Sequence, residues 1–228
     1  MPTAPATRTR FIAFEGLDGA GKTTQLELLR AALAARGEDV SVYSFPSYDD
    51  FFGREVGTLL AGESGRSAAE LDPRSTALWY ALDRWEVFGR RPPASAICLL
   101  NRWSLSNAAY QSARVDDEQA AAELYEWILE LEHRVRGLPR PELTLYFDVA
   151  ADLAVERTEH REGSRGARPD VYERSHSLQG RVRNAYLAAA QTSPGLVVFQ
   201  GHDEDTGQPK SRDALHAEVL AVTDAHFG

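Results

Sequence analysis

One stretch near the start of this chain constrains its fold more than any other: Gly16-Leu-Asp-Gly-Ala-Gly-Lys-Thr23, of the form G-x-x-x-x-G-K-[ST]. The apolar run Arg10–Glu15 before it reads as a strand. The pattern Gln25–Arg36 after it reads as a helix, with Leu26, Leu29 and Leu33 on one face and a stop near Gly37. A strand, a glycine-rich turn and a helix in that order make a phosphate-binding loop. Gly16 and Gly21 permit backbone angles that aim successive N–H groups inward, and the helix start adds the positive end of its dipole. Gly16, Asp18, Gly19, Ala20, Gly21, Lys22, Thr23 and Thr24 are therefore the candidate ATP-binding residues. Lys22 would reach the β- and γ-phosphates, and the Thr23 hydroxyl would ligate Mg²⁺. The motif alone does not separate a kinase from a hydrolase or a switch protein.

Short apolar runs followed by longer helical patterns recur to the end of the chain. Further strands are predicted at Val40–Ser44, Ala96–Leu100, Leu143–Val149 and Leu196–Gln200; helical patterns fall near 54–61, 68–90, 105–136, 150–160, 170–192 and 211–225. The alternation predicts an α/β fold with a mostly parallel sheet, helices on both faces and ligands beyond the strand C-termini. With 228 residues, a single domain is expected over 10–228, behind a short disordered tail at 1–9. Residues 157–174 break the alternation. They carry Arg157, Arg161, Arg165, Arg168 and Arg174 with Gly163 and Gly166 between them, either as a solvated loop or as a lid that brings guanidinium groups onto phosphate.

The formal net charge of −9 argues against broad binding to nucleic acid or to an anionic membrane. It leaves small phosphate ligands open, because positive charge is concentrated locally: Lys22 is one of only two lysines. No apolar stretch is long enough to cross a membrane, and residues 1–10 lack the apolar core of a signal peptide. The single cysteine, Cys98, lies in the apolar run AICLL and reads as an inert core thiol. These features together predict a cytoplasmic protein. The six histidines show no HExxH spacing, and the sequence has no paired-cysteine motif, no Gly-x-Ser-x-Gly elbow and no Asn-Lys-x-Asp guanine-reading motif.

The flanks of the loop narrow the reading. Phe11-Ile-Ala-Phe-Glu-Gly-Leu-Asp-Gly-Ala-Gly-Lys-Thr-Thr-Gln25 resembles the opening of thymidylate kinases. Phe45-Pro46, Ala81-Leu82-Asp83-Arg84, Asn101-Arg102-Trp103, Ser106-Asn-Ala-Ala-Tyr110, Gly137-Leu-Pro-Arg-Pro141 and Asp170-Val-Tyr-Glu173 follow in that family's order across residues 10 to 190. The resemblance implies a three-layer P-loop kinase fold with a five-stranded parallel sheet and an arginine-rich lid. It also implies transfer of the γ-phosphate of ATP-Mg²⁺ to dTMP, and a homodimer. For the acceptor nucleotide it implies Phe45 and Tyr172 near the substrate and Asp18 at the sugar 3′-hydroxyl. Tyr80 would stack on the base, Arg84 would donate to the base O4, Asn107 would pair with N3–H and an adjacent carbonyl, and Tyr110 would crowd the sugar 2′ position. On spacing alone, Tyr80 and Tyr110 would equally fill a core. Arg102 would contact the acceptor phosphate, and Arg161, Arg165 and Arg168 are the lid's candidates for charge neutralisation. Thr23 would hold the metal, with Asn101 and Glu173 as weaker ligands.

Two positions depart from the family's pattern. Asn101 stands where the family usually has aspartate, keeping a carbonyl acceptor but no charge. Ser47 follows Phe45-Pro46 where many members carry an arginine that clamps the acceptor phosphate. Two alternatives therefore stay open: a kinase of this fold with a non-standard nucleotide or nucleoside acceptor, or a nucleotide-binding protein with decayed catalysis.

Overall fold

A computed structural model describes residues 8–62, 67–150, 170–202 and 208–227. Five strands form one parallel sheet in the order β2-β3-β1-β4-β5: β1 (Arg10–Gly16), β2 (Val40–Ser44), β3 (Ile97–Asn101), β4 (Leu143–Asp148) and β5 (Leu196–Gln200). The apolar runs place them to within a residue at each end. Ile12, Leu99 and Leu145 are fully buried in the three central strands, as expected for a sheet covered on both faces.

The helices are α1 (Lys22–Ala35), α2 (Phe51–Ala61), α3 (Pro73–Arg90), α4 (Ser104–Ser112), α5 (Glu118–Glu130), α6 (His176–Thr192) and α7 (Arg212–Phe227). Helices α1 and α7 pack together, α1 on β1, β2 and β3 and α7 on β4. Helices α4 and α6 pack together on β1 and β5, and α4 carries α3 and α5. Three predicted helical patterns are corrected at their ends by capping. Residues 105–136 are two helices, because the Asp117 carboxylate accepts from Ala120 N–H at 2.8 Å and starts a new one. The 68–90 pattern becomes helix only at Pro73, where Asp72 caps Ser75 N–H at 2.8 Å. The 170–192 pattern becomes helix at His176, capped by Ser175.

Strand β1 lies between β3 and β4, with Phe14 opposite Asn101 and Gly16 opposite Phe147. After β1 the chain runs outward to β2 and β3, then crosses to β4 on the other side. The crevice beyond the C-terminal ends of these strands is the topological switch point, where ligands bind in open α/β sheets. Among the described residues no helix is long and apolar enough to cross a membrane. The predicted helix at 150–160 and most of the predicted lid, including Arg161, Arg165 and Arg168, lie outside the described residues.

Candidate active site

The loop after β1 turns on two glycines for different reasons. Gly16 has φ +141°, and a Cβ there would sit 2.7 Å from the Phe147 carbonyl oxygen of β4. Gly21 caps α1 at φ +92° with open space around it, so its requirement is backbone conformation alone. Lys22, the first residue of α1, is buried. Its Nζ donates to Leu17 O at 2.7 Å and lies 3.8 Å from Asp18 Oδ1, so the ammonium folds over the loop.

Strand β3 delivers its last residues beside this loop. Asn101 Nδ2 is 3.5 Å from Thr23 Oγ1. Arg102 adopts φ +64°, a left-handed conformation that costs a residue with a side chain roughly 1–2 kcal/mol. Its N–H donates to Phe14 O at 3.0 Å, its Nη2 to Asp18 Oδ2 at 2.6 Å and its Nη1 to Ser106 Oγ at 3.2 Å, and its guanidinium lies 5.3 Å from the Tyr110 ring centroid. Beneath it Glu15 is fully buried. Glu15 accepts from Trp103 N–H at 2.8 Å, Ser106 N–H at 3.3 Å, the Ser106 hydroxyl, and the Tyr186 hydroxyl at 3.0 Å. Burial pushes its carboxyl above the ordinary range, and these donors hold the turn that carries Arg102 into α4.

A cavity of about 690 Å³ opens over these groups. Asp18, Lys22, Thr23, Asn101 and Arg102 line it, and so do Phe45, Tyr80, Arg84, Asn107 and Tyr110. The structure thus brings most of the sequence-derived candidates to one space. Tyr172 is placed elsewhere: it is buried behind Tyr110, ring centroids 5.8 Å apart, with its hydroxyl donating to Ala68 O at 3.2 Å. Glu173 lines the cavity while its Oε2 accepts from Asp170 N–H at 2.8 Å. Ser47 turns away from phosphate chemistry, its N–H donating to Asp83 Oδ2 at 3.0 Å and its hydroxyl to Asp50 Oδ2 at 2.8 Å.

Four cavity-lining residues carry a buried polar side-chain atom with no protein partner: Asn101 Oδ1, Asn107 Oδ1, the Tyr110 hydroxyl and Gln111 Nε2. Such atoms are expensive to leave unpaired, so this wall suits a polar ligand. Asn101 Oδ1 and Thr23 Oγ1 are hard oxygen donors of the kind Mg²⁺ takes, and Mg²⁺ needs few protein ligands when phosphates and water supply the rest.

Sequence reasoning passed over four residues here. Glu15 and Glu132 are fully buried carboxylates; their signal was a charge placed in an otherwise apolar pattern. Gln111 gave no signal. Asp170 was quoted only within a motif, yet it lines the cavity. Burial, and then the charge of Asp18, push its carboxyl up to about 6.

A sequence profile described as Thymidylate kinase matches residues 14–204. The chain is 35% identical over 206 residues to the thymidylate kinase of Mycobacterium tuberculosis, covering 86% of this chain and 94% of the relative. It is 28% identical to a probable thymidylate kinase of Thermococcus kodakarensis, covering 96% of this chain and 98% of the relative. The solved structure of the Candida albicans thymidylate kinase superposes with a TM-score of 0.73 at 20% identity, over 96% of this chain and 92% of that one. At that identity the superposition bears on the fold alone.

Proposed function

This chain belongs to the thymidylate kinase family, and on that premise we propose that it transfers the γ-phosphate of ATP to dTMP, giving ADP and dTDP. One observation carries the reading. A single cavity is lined both by phosphate-handling groups, Lys22, Thr23 and Arg102, and by groups suited to a pyrimidine edge, Arg84 and Asn107. Lys22 orients the donor phosphates. Arg102, poised against Asp18, attracts the acceptor phosphate, and Asp18 then serves the sugar 3′-hydroxyl. Tyr80 supplies a stacking face for the base, and Tyr110 crowds the 2′ position. Thr23 and Asn101 would hold Mg²⁺, which when bound neutralises charge on the β- and γ-oxygens. Such a transfer needs little covalent chemistry from the protein; positioning and charge supply the rate. Arg161, Arg165 and Arg168 are the further candidates for that charge.

A second reading, a kinase with another nucleotide or nucleoside acceptor, draws on Asn101 and on Ser47, which offers no guanidinium to the acceptor phosphate. Purified protein with ATP and Mg²⁺, tested on a panel of nucleosides and monophosphates, separates the two. Release of ADP with formation of dTDP is expected; no dTDP at millimolar dTMP sinks the first reading. We also read the protein as a cytoplasmic homodimer. Leu78 and Trp85, seven residues apart on one face of α3, are 38% and 46% exposed, apolar surface of the kind a second copy covers.

A further inference from the structure

Helix α5 ends in a single π-helical turn, Leu131–Val135, a distortion often found at functional sites. Its inward stripe runs Leu124, Ile128, Glu132, so a carboxylate falls where an apolar residue is expected. Glu132 is fully buried. Its Oε2 accepts from Arg84 Nε at 2.6 Å and its Oε1 from Arg84 Nη2 at 2.5 Å. Its Oε1 also accepts from Asn107 Nδ2 at 2.8 Å, and that same amide nitrogen donates to Ala77 O at 3.0 Å.

These contacts decide how Asn107 is turned. An ionised carboxylate and a backbone carbonyl only accept, so the amide group must face them with its nitrogen. Its oxygen, which has no protein partner, is then what Asn107 offers to the cavity. The bidentate pair with Arg84 likewise spends Nε and Nη2 and leaves the Nη1 end of the guanidinium for a ligand. Asn107 and Arg84 therefore present one acceptor and one donor side by side. Thymine and uracil show the complement, an N3–H and an O4; cytosine shows the reverse, a bare N3 and an amino group.

We infer that Glu132, which need not touch the nucleotide, is the positioning residue that makes this site select imide bases over cytosine, by fixing the Asn107 amide and the Arg84 fork together. The inference rests on the pyrimidine reading above. It deepens that reading by moving the origin of base choice to a residue outside the cavity wall.

The test compares wild type, Glu132→Gln and Glu132→Asp for kcat/KM with dTMP, dUMP and dCMP, and for the Kd of dTMP and dCMP by calorimetry. Wild type is expected to favour dTMP and dUMP over dCMP. Glu132→Gln cannot satisfy both Arg84 donors, so the dTMP-to-dCMP ratio should fall by about tenfold or more, chiefly through KM, with KM for ATP unchanged. Glu132→Asp keeps the charge opposite Arg84 but withdraws it by one methylene; it should fold and lie between the two. If Glu132→Gln is insoluble, Glu132→Asp decides alone. Folded variants that keep the wild-type ratio in both rate and Kd overturn the role of Glu132 while leaving the base reading intact. A wild type that takes dCMP as readily as dTMP overturns the base reading and this inference with it.

Discussion

Replacing Glu15 separates its charge from its hydrogen bonds. In Glu15→Gln the carboxamide oxygen can keep the Trp103 and Ser106 N–H donors, which cannot reverse. The new NH₂ then faces the Ser106 and Tyr186 hydroxyls, which can rotate to accept. What is lost is charge assistance at the two N–H bonds, about 1 kcal/mol each. Relief of the burial penalty that holds this carboxyl above its ordinary range offsets part of it. A net loss of about 1–2 kcal/mol is expected, which for a chain of this size lowers Tm by about 2–8 °C. Glu15→Leu leaves both N–H groups buried and unpaired, while the two hydroxyls, 2.8 Å apart, can still bond each other. At about 2 kcal/mol per orphaned donor the loss is about 4 kcal/mol, or about 8–16 °C. The turn it releases carries Arg102, and displacement by about an ångström can cost around a hundredfold in rate. Thermal unfolding followed by circular dichroism, with steady-state kinetics at varied dTMP and saturating ATP, reads both effects. Glu15→Leu melting within about 2 °C of wild type would refute the network argument. Equal damage to KM for ATP and for dTMP would refute the link to Arg102.

Asp170 gives a pH-dependent prediction. Its folded pKa, about 6, is raised from 3.8 by burial and then by Asp18. The native state therefore holds its proton longer than the unfolded chain, and stability falls as pH rises between those values, by up to about 3 kcal/mol. Asp170→Asn keeps the oxygen that accepts from Tyr172 and Glu173 N–H. It should raise Tm at pH 8 and leave it unchanged at pH 3.5; equal Tm at pH 8 counts against the shift. Asn101→Asp restores a charge beside Thr23 and should lower the Mg²⁺ concentration for half-maximal rate several-fold. An unchanged Mg²⁺ dependence would remove Asn101 from the metal's surroundings. The proposed homodimer predicts that Leu78→Asp sediments as a monomer where the wild type sediments as a dimer; a Leu78→Asp protein that still dimerises shifts the interface away from this face of α3.

The parts of the molecule that could be read from the chain are those whose cause is local. Strand ends follow from apolar runs broken by Pro92-Pro93 and Pro139/Pro141, and the loop follows from two glycines and Lys22. The same locality explains the errors. A continuous helical pattern over 105–136 hides the break at Asp117, because a cap is a single hydrogen bond inside a favourable periodicity. The site divides in the same way. That Arg84 and Asn107 belong together was legible by resemblance. What fixes their orientation, and so commits the Asn107 nitrogen away from the base, was not, because that depends on Ala77, 30 residues before Asn107, and on Glu132, 25 after it. Glu15 and Glu132 each interrupt an apolar pattern, the strand before the loop in one case and the α5 stripe in the other. A charge in such a place announces a buried network without naming its members, since the donors that make burial tolerable arrive from other elements. Ser47 shows the converse. Its departure from the family is visible in the sequence, but its consequence is set by Asp83 and Asp50, which bind its N–H and hydroxyl. The segment after Phe45-Pro46 is therefore anchored to α3 and to the start of α2, and the described cationic side chains that line the cavity, Lys22, Arg84 and Arg102, all come from other segments.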